Sequence, residues 1–158
     1  MKRNILTFTF CLTFSYPIFS QKIAAADLPS AISQSYKSKF AIGTIAEKDS
    51  WEIDYDHYKV DFFINKIEYS ASFDKDGNWL NTEIPTATAN LPAEIKNTLK
   101  TDYRGFKVED GIRIVSDKET IYKISVIKAE FTYSLTFTEK GEVLKKIEGL
   151  EVEKDDKD

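Results

Sequence analysis

The sequence predicts an α+β fold: a tandem repeat of a helix followed by an antiparallel meander of about four strands, with the helices on one sheet face. Two observations support this prediction. Identical residues recur along the chain at a nearly constant spacing. Within each copy, the hydrophobic period also changes once, from the three- and four-residue steps of a helix to the two-residue alternation of strands.

The internal repeat is visible as identical residues in one register. The spacing is 63 residues in the helical part and becomes 64 after one inserted residue. The pairs at the first spacing are Leu28/Leu91, Pro29/Pro92, Ile32/Ile95 and Lys37/Lys100. The pairs at the second spacing include Tyr58/Tyr122, Lys59/Lys123, Tyr69/Tyr133, Phe73/Phe137, Gly77/Gly141 and Leu80/Leu144. We therefore place one copy at residues 21–84 and the other at 85–150.

Each copy begins with a predicted amphipathic helix. The apolar stripe of the first helix consists of Leu28, Ala31, Ile32, Tyr36 and Phe40, and that of the second consists of Leu91, Ile95, Leu99 and Tyr103. A proline near each start suits the first helical turn, where a backbone N–H has no intrahelical partner. Asp27 and Asn90 precede the two stripes, so we expect them to cap the helices.

Strict alternation follows each helix and predicts antiparallel strands with one buried side and one solvent-facing side. The apolar positions of the first copy are Trp51, Ile53 and Tyr55, then Tyr58, Val60, Phe62 and Ile64, and then Ile67, Tyr69, Ala71 and Phe73. Asn65-Lys66 and Asp74–Gly77 are the predicted hairpin turns. In the second copy the most regular strand runs from Phe131 to Phe137.

The two ends of the chain differ in composition from the segment between them. Residues 1–20 have a basic start, an apolar run and a small residue at Ser20, which is the order of a secretory signal. We expect cleavage near Ser20-Gln21 and a periplasmic or secreted mature protein. The apolar run is too short to span a bilayer comfortably, and no later stretch is long enough, so we expect no membrane span. Residues 151–158 are a charged tail that we expect to fray.

Composition argues against several classes of function. Hydrophobic residues at 42% and aromatic residues at 13% of 158 argue against intrinsic disorder. Loss of Lys2 and Arg3 with the signal lowers the basic count from 22 to 20 against 26 acidic residues, a formal charge of −6. That charge argues against a nucleic-acid partner. Cys11 lies within the signal, so the mature chain has no thiol for catalysis, a disulfide or a metal site.

The residues of the first copy resemble those of the PepSY-like family. The resemblance rests on Leu-Pro-x2-Ile-x3-Tyr-x3-Phe from Leu28, on Trp51-Glu52, on Tyr58–Phe62 and above all on Phe73-Asp-Lys-Asp-Gly-Asn-Trp-Leu-Asn-Thr-Glu83. It covers nearly all of the mature chain, although the second turn, Thr138–Val143, departs from the pattern. The family consists of exported proteins described as similar to β-lactamase inhibitory protein. The resemblance implies an extracytoplasmic, non-enzymatic module, with peptidase or β-lactamase inhibition suggested by analogy.

We expect no catalytic residue, metal or cofactor. The sequence has no turn motif that would present a catalytic nucleophile for His57 to activate. We therefore interpret His57 as an ordinary hairpin histidine. The carboxylates Glu52, Asp54, Asp56 and Asp61 are predicted to face solvent. Asp74–Asn78 has the alternating oxygens of a calcium loop, but position twelve would be Pro85, which has no side-chain ligand. A tight turn is the stronger interpretation of this segment, and calcium binding is the alternative.

Apolar residues that fall out of phase with the core indicate a contact surface. Phe63 shares a strand face with Lys59 and Asp61, Trp79 shares one with Asn81 and Glu83, and Ile121, Ile127 and Val143 occupy matching positions in the second copy. Either this face binds a partner, or packing of the two sheets hides it. We predict that the partner contacts are Phe63, Trp79, Lys59, Asp61, Ile121, Lys123 and Ile127.

Our leading interpretation is an exported, non-enzymatic module that binds an extracytoplasmic protein through the sheet face opposite the helices, as an inhibitor-like protein would. The alternative is a periplasmic small-molecule carrier or sensor with an apolar ligand between helix and sheet. An enzyme would require a cleft with strongly perturbed carboxylates, which the sequence does not indicate.

Overall fold

Nine antiparallel strands form one sheet in the described part of the chain, and two α-helices accompany them. The structure is a computed structural model that describes residues 21–40 and 50–149, apart from the side chain of Asp54. The predicted signal peptide (1–20) and charged tail (151–158) lie outside these residues. The mixed helix and strand content agrees with the predicted α+β class.

Each strand pairs with the next strand along the chain. The helices are α1 (Ser30–Lys39) and α2 (Ala93–Asp102), and 3-10 turns precede them at Ala25–Asp27 and Thr88–Asn90. The strands are β1 (Gln21–Ile23), β2 (Ser50–Asp54), β3 (His57–Ile64), β4 (Ile67–Asp74), β5 (Trp79–Pro85), β6 (Lys107–Val115), β7 (Thr120–Lys128), β8 (Phe131–Thr138) and β9 (Val143–Glu148). Within the described residues, β1 and β9 are the two edges of the sheet.

The helices coincide with the predicted stripes, but they begin differently. Pro29 and Pro92 are the N-cap residues, and neither helix has a side-chain hydrogen bond at its N-cap. Asp27 and Asn90 belong to the preceding 3-10 turns, two residues before the caps. The expected capping by these two residues is therefore wrong. Proline starts each helix instead, because its extended ψ and fixed φ direct the chain into the first turn.

Each helix packs its apolar stripe against strands that follow it in the chain. The first cluster joins α1 to β2, β3 and β4, and its buried members are Ile32, Tyr36, Trp51, Val60, Phe62, Ala71 and Phe73. The second cluster joins α2 to β7 and β8, and its buried members are Leu91, Ile95, Leu99, Tyr122, Ile124, Val126, Leu135 and Phe137. Each large apolar side chain contributes on the order of 2–3 kcal/mol on burial, before conformational entropy is counted.

The strand residues of both clusters share one side of the sheet. Directly paired residues of antiparallel strands point to the same side. The residues that carry this side across the sheet are, in order, Val60, Ala71, Thr82 and Val115, and then Arg113, Tyr122 and Phe137. We call this side the core face and the opposite side the outer face.

The hairpin turns confirm two predictions and correct one. Asn65 and Lys66 both have positive φ angles, 51° and 67°, which is the geometry of a type I′ hairpin. Gly77 has a φ of 85° in the turn between β4 and β5, as predicted for that position. The placement of Tyr55 in the buried alternation is wrong. This residue is 81% exposed and has a φ of 57° in the β2–β3 turn.

A β-bulge between β4 and β5 reverses the predicted face of Trp79. Ser72 pairs with Asn81, whereas Phe73 pairs with Trp79, so Leu80 is an extra residue on β5. Trp79 therefore lies on the core face beside Phe73. Its predicted position on the outer face is wrong, because simple alternation cannot register one inserted residue.

The same irregularity occurs between β8 and β9. Thr136 pairs with Lys145, and Phe137 pairs with Val143. Val143 consequently lies on the core face, and its predicted position on the opposite side is wrong for the same reason.

Candidate functional site

Six of the seven predicted contact residues lie on the outer face, in two groups. The group on β3 consists of Lys59, Asp61 and Phe63, and the group on β7 consists of Ile121, Lys123 and Ile127. Strands β4, β5 and β6 lie between β3 and β7, which makes four steps from strand to strand. At roughly 4.8 Å per step, the two groups are about 19 Å apart. A partner that touches both groups needs an interface of the standard protein–protein size.

The β3 group presents an exposed aromatic ring beside charged side chains. Phe63 is 38% exposed and pairs with Glu68 of β4. Lys59 and Asp61 are half-buried on the same face. An apolar residue within a charged rim is the usual composition of a protein-binding surface.

A cavity of about 220 Å³ lies beside this group, and its lining comes mainly from the outer face. The lining residues are Asp61, Glu68, Tyr69, Ser70, Glu83, Pro85 and Ile112. Asp61, Ser70 and Glu83 form one row across β3, β4 and β5. Ser70 Oγ is buried and has no hydrogen-bond partner among the described residues. Buried polar atoms normally have a partner, but Asn81 Oδ1, Arg113 Nε and Thr132 Oγ1 in the same sheet also lack one among the described residues.

The β7 group continues into apolar residues of β6. Ile121 pairs with Ile114, and Lys123 pairs with Ile112. Ile112 and Ile121 are half-buried, and Ile114 is only 9% exposed. Ile112 and Ile114 were missed by sequence reasoning because Val115 follows them, so β6 has apolar residues on both faces and no simple alternation.

Trp79 connects α1 to the sheet on the core face. Its Nε1 donates a hydrogen bond of 2.9 Å to Oγ1 of Thr82, a buried polar residue. Nζ of Lys39 on α1 lies 3.3 Å from the centroid of a Trp79 ring, which is a cation–π contact. The half-buried indole also packs against the first cluster. Through these contacts Trp79 packs α1 against the sheet.

The turn that carries the family-like motif satisfies its own polar groups. A carboxylate oxygen of Asp74 accepts hydrogen bonds from the backbone N–H groups of Asp76, at 2.9 Å, and Asn78, at 2.8 Å. The other oxygen accepts one from the Asn78 side chain at 2.8 Å. This side-chain hydrogen bond is the main reason that the pKa of Asp74 is below its usual value. The tight-turn interpretation of Asp74–Asn78 is confirmed.

The structure groups no side chains into a metal site or a triad in the part of the chain that it describes. Across residues 21–40 and 50–149, no three His, Cys, Asp or Glu side chains are arranged to hold a metal ion. His57 is exposed, and its Nε2 lies 3.9 Å from Oδ1 of the neighbouring Asp56. An exposed pair of this kind contributes little to stability.

A second, wider groove lies along α1, and Trp79, one of the predicted contact residues, is part of its lining. It has a volume of about 690 Å³ and runs between α1 and the β4–β5 turn. Its lining consists of Ala31, Gln34, Ser35, Ser38, Lys39, Gly77, Asn78 and Trp79. Separately, none of the described helices has the length and hydropathy needed to cross a membrane.

Comparison with solved structures reveals the same fold in proteins from Bacteroides. A DUF2874 family protein from Bacteroides uniformis is 21% identical, with a TM-score of 0.69 over 76% of this chain and 88% of that one. A protein from Bacteroides eggerthii described among "putative periplasmic proteins" is 22% identical, with a TM-score of 0.69 over 77% and 88%. A BLIP-like protein from Bacteroides fragilis is 22% identical, with a TM-score of 0.67 over 80% and 90%.

Comparison with protein families gives the stronger result. No curated protein matches the sequence. The family described as "Putative beta-lactamase-inhibitor-like, PepSY-like" matches residues 56–145, which is more than half of the chain and includes both groups on the outer face. The resemblance noted in the sequence is confirmed, and the chain belongs to the PepSY-like family.

Proposed function

We propose that this protein is a non-enzymatic, extracytoplasmic module that binds a partner protein on the outer face of its sheet. A family described as β-lactamase-inhibitor-like supports a binding role rather than a catalytic one. The structural likeness to a BLIP-like protein supports the same role, and the likeness to a protein described as periplasmic supports a location outside the cytoplasm. The specific activity to test first under this proposal is inhibition of a peptidase or a β-lactamase.

A duplicated unit is part of the proposal. In our interpretation, α1 with β2–β5 and α2 with β6–β9 are two copies, with both helices on the core face. The bulges support this view, because Ser72/Phe73 and Thr136/Phe137 are 64 residues apart. The common side of the two core clusters supports it as well. In such an arrangement neither of the two described helices lies above the outer face.

The apolar content of the outer face is the observation that carries the proposal. Phe63 is exposed on this face, and Ile112, Ile121 and Ile127 are half-buried on it. The apolar stripes of both described helices pack into the two clusters on the core face, so they do not cover these residues. A protein partner would bury this apolar surface while its polar groups meet Lys59, Asp61 and Lys123.

The alternative function, a carrier of an apolar ligand between helix and sheet, has no supporting observation in the first cluster. The ring of Tyr36 lies 5.1 Å from that of Trp51 and 5.5 Å from that of Phe62, centroid to centroid. Phe40 and Phe62 are 4.7 Å apart. These aromatic contacts fill the space between α1 and the strands that a carried ligand would need.

The test is affinity capture from envelope extracts, with three forms of the mature protein as bait. The first is the natural chain, the second is Phe63→Ala, and the third is the matched control Phe131→Ala. Phe131 is also an exposed phenylalanine, at 47%, but it lies at the β7–β8 hairpin on the core side. We expect the Phe63 variant to retain at least tenfold less partner, since an anchoring aromatic contributes about 2 kcal/mol or more to a complex.

The control decides between a specific contact and a general loss of apolar surface. Phe131→Ala should capture the same protein in the same amount as the natural chain. Thermal melts of all three baits establish that the fold is intact. Equal capture by the natural chain and by Phe63→Ala, or loss with Phe131→Ala alone, would contradict the proposed surface.

A further inference from the structure

The β9 edge of the sheet is six residues long and exposed along its whole length. Every residue from Val143 to Glu148 is exposed, including three apolar ones, Val143 (39%), Leu144 (55%) and Ile147 (48%). The other described edge, β1, has only three residues. Proteins usually shorten, cover or charge the edges of their sheets, because a free edge invites another strand to pair with it.

The backbone of β9 has hydrogen-bonding groups directed away from the sheet. The N–H of Gly149 donates to the carbonyl oxygen of Thr132 at 2.7 Å, so this pair is of the hydrogen-bonded type. Hydrogen-bonded and non-hydrogen-bonded pairs alternate along antiparallel strands. Ile147 therefore bonds to β8, whereas Lys146 and Glu148 direct their N–H and C=O groups toward the free edge.

We propose that a second copy of this chain pairs with this edge, β9 against β9, about a twofold axis at Ile147 and perpendicular to the sheet. In this register Ile147 lies opposite the partner's Ile147 on the outer face. Lys146 lies opposite the partner's Glu148, and Glu148 lies opposite the partner's Lys146. The backbone groups of Lys146 and Glu148 then bond to the partner strand, which continues the antiparallel ladder. Two-fold symmetry makes the contact between Lys146 and Glu148 occur twice, whereas the pair of Ile147 residues lies on the axis.

The charges on β9 select this register over its neighbours. An axis at Lys145 or at Lys146 would set that lysine opposite its own copy, and an axis at Glu148 would set two glutamates together. Like charges directly opposite each other destabilise a strand pair, whereas opposite charges stabilise it. The axis at Ile147 alone, among these four, pairs each lysine at 146 with a glutamate. Lys145 and Lys146 thus disfavour the other pairing registers of the edge, whereas the register with the axis at Ile147 remains favourable.

The core side of β9 has room for this arrangement. Lys146 and Glu148 are both exposed, so α2 does not cover the side chains that would form the intermolecular pairs. Nζ of Lys146 lies 3.8 Å from the ring centroid of Tyr133 on β8, so this side chain turns from β8 toward the edge when it meets the partner's Glu148. A pairing through one strand buries less area than a standard interface. We therefore expect a weak dimer, with a dissociation constant on the order of 100 µM.

Charge exchange tests the register directly. Sedimentation equilibrium of the mature chain should give a reversible monomer–dimer equilibrium. Lys146→Glu and Glu148→Lys should each weaken it at least tenfold, because each sets like charges opposite each other. The double variant Lys146→Glu/Glu148→Lys restores opposite charges and should recover the natural constant within about threefold. Lys145→Glu is the matched control, because Lys145 lies opposite the partner's Gly149 and should change the constant little.

Hydrogen exchange supplies a second measurement that does not depend on the variants. The amide of Ile147 bonds to β8 and should be protected at every protein concentration. The amides of Lys146 and Glu148 should gain protection only as the concentration rises. A natural chain that stays monomeric at millimolar concentration overturns the proposal. A double variant as weak as the single ones also overturns it. Neither result bears on the outer face, which the Phe63 capture experiment tests separately.

Discussion

Gly77 in the β4–β5 turn lies directly against the main chain of Ala31 in the first turn of α1. A Cβ atom at position 77 would stand 2.9 Å from both the carbonyl carbon and the carbonyl oxygen of Ala31. Gly141 has the same relationship to Glu94 of α2, with both distances at 2.8 Å. Positions 31 and 94 are 63 residues apart, and positions 77 and 141 are 64 apart, which are the two spacings at which identical residues recur in the sequence. Through these contacts α1 packs closely against the β4–β5 turn, and α2 packs closely against the β8–β9 turn.

Gly77→Ala should therefore destabilise the protein more than an alanine at another left-handed glycine. We expect the free energy of unfolding to fall by about 2–4 kcal/mol, from backbone strain at a φ of 85° together with the contact to Ala31. Gly105→Ala is the matched control. It has the same φ, but its Cβ would meet only the end of the Lys128 side chain, at 3.4 Å, so about 1 kcal/mol is expected. Urea denaturation measures both, and equal losses would show that the helix contact is unimportant.

The hydrogen bond between Trp79 and Thr82 should contribute measurably to stability. Trp79→Ala removes a half-buried indole from the first cluster and should cost about 2–4 kcal/mol. Trp79→Phe keeps a ring but removes the N–H donor, and Thr82→Val removes the acceptor. A double-mutant cycle with these two changes should give a coupling energy of about 1 kcal/mol by urea denaturation. A coupling near zero would mean that the 2.9 Å contact adds nothing to stability.

The loss of protein stability at low pH should depend in part on Asp74 in the β4–β5 turn. Its pKa is lowered in the folded protein from 3.8, chiefly because the Asn78 side chain donates a hydrogen bond to the carboxylate. A lowered folded-state pKa means that the stabilisation is complete above pH 3.8 and is lost as the pH falls through the folded-state value.

Two variants test this assignment. In Asp74→Asn, the part of the acid-induced stability loss that belongs to this carboxyl should disappear. In Asn78→Ala the same part should become smaller. Urea titrations between pH 7 and pH 2 measure the slope of stability against pH. Unchanged slopes in both variants would exclude Asp74 as a contributor.

The two core clusters should respond independently to equivalent substitutions. Ile32 and Ile95 are both fully buried, each beneath its own helix, and they belong to separate clusters. Ile32→Ala and Ile95→Ala should each cost about 2–5 kcal/mol, from lost apolar burial and the cavity left behind. The losses should add in the double variant within about 0.5 kcal/mol, because the sites share no partner. Strong non-additivity in urea or thermal unfolding would mean that the clusters act as one core.

Several features of the fold were predictable because they depend on neighbours in the sequence. The three- and four-residue steps through Ile32 and Tyr36 predicted α1, and the two-residue alternation through Val60 and Phe62 predicted β3. Asn65-Lys66 and Gly77 predicted turns because few residues adopt a positive φ without strain. The resemblance to the PepSY-like family could likewise be recognised from the sequence alone.

The candidate site was only partly predictable. Lys59, Asp61 and Phe63 were assigned to the correct face because β3 alternates without interruption. Trp79 was not, because one extra residue at Leu80 reverses the side to which it points. The prediction of the helix N-cap residues was also wrong. Asp27 and Asn90 have side chains that could cap a helix, but each lies two residues before the N-cap position.

Periodicity and turn chemistry in the chain alone thus established the kinds of elements, their order and most of the residues that are buried. Three results required the folded structure: the face of Trp79, the outer-face strip of Ile112 and Ile114, and the position of β9 at an edge of the sheet within the described residues. The physical reason is the range of the interactions. Periodicity reports which side of its own strand a residue occupies. Bulges, register and the ends of a sheet instead depend on pairing between strands, which local sequence does not encode.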